Sequence, residues 1–220
     1  MNINLRRVVL AISALALASL ACGAFSSLLG DGSLLKDDFS SSSSGWGTGT
    51  DADSSVEYSN GGLQMLVFTP NYLTWSTPNA TDYQNVHVEV TATHNDTNPT
   101  TAFGVICNEL GTTASYYYFV ITPGGEYAIA KAEVGQTDFF FTNDDQWGSS
   151  DLIPENAASY RIGADCASDG TLTLYVDGQQ IDSVTDSSYT TGRVGLITWS
   201  GDEAPSADVV FDDFVVTSLP

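Results

Sequence analysis

The sequence predicts an all-β domain folded as a two-sheet antiparallel sandwich. Short runs rich in Val, Ile, Thr, Tyr and Phe alternate with clusters of Gly, Pro, Asn and Asp along the chain. No segment sustains an apolar stripe at helical spacing. Roughly ten or more such runs, without a fixed internal period, fit a sandwich and argue against a propeller.

In order, Leu34–Phe39 forms a first short strand, followed by the serine-rich loop Ser40–Gly45 and then Trp46. Ser54–Ser59 and Leu63–Thr69 flank Asn60-Gly61, the strongest two-residue hairpin signal. Tyr72–Ser76 resumes the sheet after Pro70. Asn85–Thr93 alternates with period two: Val86, Val88, Val90 and Ala92 on a dry face, His87, Glu89, Thr91 and Thr93 on a wet one. Ala102–Glu109 follows. Ser115–Thr122 and Glu126–Val134 flank the turn Pro123-Gly124-Gly125. Thr137–Phe141 is a short aromatic run, and Asn143-Asp144-Asp145 opens an exposed loop that reaches Glu155. Ser159–Cys166, Thr171–Val176 and Gln180–Val184 come next, the last two joined at Asp177-Gly178. Gly192–Trp199 and Ala207–Thr217 close the domain.

Ahead of this domain the chain reads as an export leader. Residues 1–21 carry Arg6 and Arg7 and then an apolar stretch too short to span a bilayer. The junction Ser19-Leu20-Ala21-Cys22-Gly23 resembles the lipobox of bacterial lipoproteins, with Ser19 where Leu is commonest. The resemblance implies acyl chains on Cys22, and two or more chains suffice for stable anchoring. An ordinary signal peptide leaving a free thiol is the alternative. Residues 22–33 then form the lipidated Cys and a tether, and 34–220 the sandwich, displayed on the extracytoplasmic face of the cell envelope.

Charge excludes some functions. There are 27 acidic residues against 6 basic ones, a net charge of −21. With Arg6 and Arg7 in the leader, the rest of the chain keeps four basic residues against all 27 acidic ones, a net of −23. Nucleic-acid binding depends on cationic neutralisation of phosphates, so nucleic acid is excluded as a partner. Electrostatic docking on anionic lipid is excluded too, leaving membrane contact to the lipid alone. The acidity suits solubility.

Three cysteines are present. With Cys22 set aside, Cys107 and Cys166 remain, both inside strand runs. In an oxidising compartment a disulfide between them is the expected reading, against two separate buried thiols. No Cys-x-x-Cys or Cys/His cluster accompanies them, and His87 and His94 lack metal-ligand companions, so no cofactor is required.

Several segments together resemble a known fold family. Lys36-Asp37-Asp38-Phe39 with Ser44-Gly45-Trp46, the run Phe103-Gly104-Val105-Ile106-Cys107, the hairpin Leu172 to Gly178, and the closing Val194-Gly195-Leu196 with Phe211-Asp212-Asp213-Phe214 are similar to concanavalin A-like jelly rolls. Within that group they are most similar to the laminarinase-like and 3-keto-disaccharide-hydrolase-like domains of bacterial lipoproteins. The resemblance covers about residues 35–217. It implies two curved sheets, sugar chains bound on a concave face, and a structural calcium held by a last-strand Asp, here Asp213. Solvated edge charges that block strand addition are the other reading of Asp213.

The catalytic Glu-x-Asp-x-x-Glu of laminarinase-type enzymes is absent: Thr91, Gly111 and Ala128 stand where Glu89, Glu109 and Glu126 would need Asp. No nucleophile elbow or phosphate loop is present. Aromatic placement carries more. Tyr116 and Tyr118 share one face of their strand with Val120, and Tyr117, Phe119 and Ile121 share the other, so one face suits the core and the other a groove. In the next strand Ala128, Ala130 and Ala132 look like the core side, leaving Tyr127 and Lys131 outward. Tyr rings stack on sugar C–H faces and Lys131 can donate to hydroxyls, while Trp147 and Trp199 are placed to form a rim. The competing reading is that these aromatics simply pack the sandwich. The sequence therefore favours a non-catalytic, lectin-like surface lipoprotein with carbohydrate as partner. A glycosidase with carboxylates from separate strands, or an adhesive module without a small ligand, is the alternative.

Overall fold

The structure is a computed structural model, which describes residues 32–220 except 60, 79, 80, 112 and 202–205. The expected leader, Cys22 and most of the expected tether therefore lie outside the described residues. The described residues form sixteen strands: β1 Ser33–Asp37, β2 Gly49–Thr50, β3 Ser54–Ser59, β4 Gly62–Val67, β5 Leu73–Ser76, β6 Val86–His94, β7 Ala102–Glu109 and β8 Tyr116–Ile121 in the first half. The second half holds β9 Glu126–Ala132, β10 Phe139–Phe140, β11 Gly148–Ser149, β12 Tyr160–Cys166, β13 Thr171–Val176, β14 Gln179–Thr185, β15 Arg193–Trp199 and β16 Ala207–Ser218. They form two antiparallel sheets. The nine-stranded one runs β14-β13-β12-β6-β16-β4-β3-β2 with β1 beside β16, and the seven-stranded one runs β10-β9-β8-β7-β15-β5 with β11 beside β9. The fold is the concanavalin A-like jelly-roll sandwich.

Turn chemistry sets the registers. Val176 pairs with Gln179 across Asp177 and Gly178, whose φ values of 50° and 76° suit the two left-handed positions of a hairpin turn. Ser59 pairs with Gly62, and Gly61 between them has φ of 79°. Gly104 is required by packing: a Cβ there would meet the Phe119 carbonyl oxygen of β8 at 1.9 Å.

The core lies between the sheets. Val86, Val88, Val90 and Ala92 point into it from β6 with no exposure, facing Phe103, Phe119 and Leu196 of the other sheet. Cys107 on β7 and Cys166 on β12 are joined by a disulfide, so one covalent link ties the two sheets together. The Asp37, Phe39 and Trp46 segments close one end. The Trp46 indole donates to Asp37 Oδ2 at 2.8 Å, the Phe39 amide donates to Oδ1 at 2.9 Å, and the indole packs edge-on against Phe214 at 4.9 Å.

The outer face of the nine-stranded sheet is polar. His87 Nδ1 lies 2.7 Å from Asp165 Oδ1, Tyr175 donates to Asp165 Oδ2 at 2.8 Å, and Arg161 Nε donates to Glu89 Oε1 at 2.7 Å. The contact with Asp165 raises the His87 pKa from 6.5 to about 9, helped by Glu89.

Candidate functional site

The outer face of the seven-stranded sheet is apolar, unlike its counterpart. Strict alternation along β8 sends Tyr117, Phe119 and Ile121 into the core and Tyr116, Tyr118 and Val120 outward. A second cluster forms there with Ala102, Ile106 and Ile197 from β7 and β15. Ala128, Ala130 and Ala132 belong to this outer cluster as well. The expectation that these alanines mark the core side of β9 is thus reversed, and the register explains why. Phe119 pairs with Ile129 and Tyr117 with Lys131, so these odd-numbered residues of β9 share the inward side of β8.

That reversal divides the six predicted binding residues into two groups. Tyr127 and Lys131 point away from the outer face. Tyr127 packs on the core and its hydroxyl donates to Asp182 Oδ2 at 3.1 Å, while Lys131 Nζ lies 3.7 Å from Asp186 and donates to Ser188 at 3.3 Å. Tyr116, Tyr118, Trp147 and Trp199 stay together on the outer face. The two tyrosines are buried rather than free platforms, at 4% and 5% exposed, and of the two Tyr118 floors the adjoining cavity.

Above that floor is a cavity of about 420 Å³, within the range of small-molecule sites. Tyr118, Val120 and Ala102 line its base, Leu73 and Ile197 one side, and Phe140, Trp147 and Trp199 the aromatic walls. Trp147 precedes β11, which pairs with β9, and Trp199 ends β15, so their contact spans the intervening β7 and β8. Their rings stack at 5.9 Å with planes 18° apart, and Trp147 meets Phe140 at 5.6 Å. Trp199 Nε1 donates to Asn71 Oδ1 at 3.2 Å.

The segment carrying Phe140 and Trp147 is shaped locally. Asn143, Asp144 and Asp145 are three successive left-handed residues with φ of 43°, 55° and 64°, a conformation Asn and Asp tolerate best. Asp145 Oδ1 accepts from the Phe140 amide at 2.8 Å, and Asn143 Nδ2 donates to the Trp147 carbonyl at 2.9 Å. The turn residues legible in the sequence thus hold the backbone of two of the three walls, at Phe140 and Trp147.

The polar groups at the cavity are Asn71, Thr137 and Asp138. Tyr118 donates its hydroxyl to Asp138 Oδ2 at 2.9 Å. Burial pushes the Asp138 carboxyl above its ordinary range, opposed by that hydrogen bond, and burial with the Asp138 charge pushes the Tyr118 phenol far up. Sequence reasoning missed Asp138, Asn71 and Leu73. Phe140 lay in a recognised aromatic run, and Leu73 and Ile197 were reachable by alternation, but nothing local marks Asp138.

Asp213 is exposed on a bulge of β16, where the register shifts between Asp212 and Val215, and has φ of 51°. Its carbonyl accepts from Arg161 Nη1 at 2.9 Å, so that oxygen is already engaged by a guanidinium. Among the described residues no group of three or more His, Cys, Asp or Glu is placed to hold a metal.

No protein-family model matches the chain, and no curated protein matches it in sequence. Solved structures match in fold. A carbohydrate-binding module, CBM66, from Bacillus subtilis is 19% identical, with 80% of this chain and 96% of that chain covered at a TM-score of 0.60. A Bacillus licheniformis β-glucanase is 15% identical, covering 86% and 100% at 0.58. The κ-carrageenase of Pseudoalteromonas carrageenovora, solved in complex with an oligotetrasaccharide of κ-carrageenan, is 13% identical, covering 82% and 92% at 0.55.

Proposed function

We propose that the sandwich binds carbohydrate without cleaving it, in the aromatic cavity on the outer face of its seven-stranded sheet, and that a lipid on Cys22 holds it at the cell envelope. The observation that carries the binding reading is the Trp147–Trp199 wall standing over Tyr118, with Asn71, Thr137 and Asp138 as the polar groups. Indole and phenol faces stack on sugar C–H faces, and a few polar groups fix orientation. The fold likeness to a carbohydrate-binding module and to glycan-cleaving enzymes supports the same reading. Glycoside cleavage takes two carboxylates facing the scissile bond. Among the described residues lining the cavity, Asp138 is the only acid, which supports a binding role.

A glycan array probed with the soluble unit Leu34–Pro220 tests this. Binding to at least one glycan class is expected, lost in Trp147→Ala and kept in Tyr175→Phe, whose ring sits on the other sheet. An array without signal sinks the proposal. For the anchor, the full chain partitions into a detergent phase and Cys22→Ala into the aqueous phase; equal partition of both removes the lipid.

A further inference from the structure

The cavity combines features that a neutral sugar does not need together. Four aromatic rings, from Tyr118, Phe140, Trp147 and Trp199, line it, and so does the Asp138 carboxylate. No Lys, Arg or His is among its described lining residues. Tyr118 occupies Asp138 Oδ2, and no described residue donates to Oδ1. The basic side chains of the domain are committed elsewhere: Lys131 lies 3.7 Å from Asp186, Arg161 2.7 Å from Glu89, Arg193 3.9 Å from Glu109, and Lys36 is on β1 of the other sheet.

A carboxylate within an aromatic enclosure attracts cations twice over. Ring faces carry negative quadrupole potential, and the carboxylate supplies a charge-assisted hydrogen bond. The field of the whole chain, at a net of −23 beyond the leader, concentrates cations and repels anionic ligands. Burial raises the Asp138 carboxyl above its ordinary range, and a cation paired with Oδ1 offsets that desolvation.

We propose that the cavity is selective for a protonated amino sugar. The C–H face of the ring lies on the indole wall, and its ammonium donates to Asp138 Oδ1. This rests on the carbohydrate reading above and narrows it to hexosamine units with a free amine. A quaternary ammonium group offers the same cation chemistry without the sugar hydroxyls that Asn71 and Thr137 can meet.

Titration calorimetry on the full-length protein in nonionic detergent, with three oligomers of equal length, decides. Glucosamine oligomers are expected to bind roughly tenfold or more tightly than N-acetylglucosamine or glucose oligomers. In Asp138→Asn, which keeps the size and a partner for the Tyr118 hydroxyl, the ratio is expected to fall to near one. Equal affinity for the free and acetylated amine, or an undiminished ratio in Asp138→Asn, overturns the proposal. If Asp138→Asn does not fold, the three-oligomer comparison on the unaltered protein decides alone. Array binding without amine preference overturns this inference and leaves carbohydrate binding standing. Binding of tetramethylammonium with no glycan bound by any assay overturns both.

Discussion

Tyr118 meets two requirements at once. Its ring is floor for the cavity, packed 6.1 Å from Tyr116 and 6.5 Å from Phe140, and its hydroxyl is the described partner of Asp138. A residue 5% exposed with those contacts is held by packing as much as by function. Tyr118→Ala is therefore expected to lower the unfolding free energy by about 3–5 kcal/mol, the range for removing a buried aromatic ring. Tyr118→Phe is expected to cost about 1–3 kcal/mol, since it leaves Asp138 half-buried without its donor. Urea denaturation of both variants checks this, and an unchanged midpoint in Tyr118→Ala contradicts the packing. Single residues of this kind were half legible in the sequence. The tyrosine stripe announced itself by alternation, but its acid partner lies 20 residues away in a loop and no local pattern points to it. Asp37 and Trp46 were visible as a motif for the same reason that their hydrogen bond was not: sequence shows neighbours, and the bond closes over nine residues of chain.

At the scale of elements, strands were legible wherever turn chemistry or one-sided burial fixed them. The Asp177-Gly178 hairpin and the β6 alternation fall where composition puts them. Strand β9 misled because its polar contrast points the wrong way: Lys131 lies on the side that Tyr127 and Ile129 share, so the alanines of the outer face read as the inner ones. Only pairing with β8 settles it. Contrast is what the outer face of the nine-stranded sheet has, and its cross-strand network makes a testable unit. His87 is raised to about 9 by Asp165, so its stabilisation is complete below 6.5 and is lost as pH rises through about 9. Glu89 is lowered from 4.5 to about 2 by His87 and Arg161 against the effect of burial, so its stabilisation is complete above 4.5 and lost as pH falls through about 2. Both contributions are full between 4.5 and 6.5. The thermal midpoint is thus expected to decline from about pH 7 to about pH 10, less steeply in His87→Gln. A variant with the same alkaline slope as the unaltered protein removes His87 as the cause.

For the whole molecule the governing quantity is the excess of negative charge. Beyond residue 21, 27 acidic residues face four basic ones, so most carboxylates have no cation to pair with. Lys131, Arg161 and Arg193 each sit against an acid, but partly exposed pairs contribute little individually. Self-repulsion of the compact state therefore outweighs attraction. Screening weakens both, and the larger sum loses more. Raising sodium chloride from roughly 10 mM to roughly 150 mM, which shortens the Debye length from about 30 Å to about 8 Å, is expected to raise the thermal midpoint. Each 1 kcal/mol regained corresponds to about 2–4 °C for a domain of this size. Chloride is the informative salt, because sulfate stabilises by exclusion from any protein surface and would mask the electrostatic part. A midpoint that falls with added chloride would mean that the few ion pairs dominate the repulsion. The same repulsion bears on the cavity: a site inside so negative a surface disfavours acidic glycans before any contact is made, and screening relaxes that bias. Amine-bearing glycans should accordingly lose affinity over the interval of chloride in which the fold gains stability.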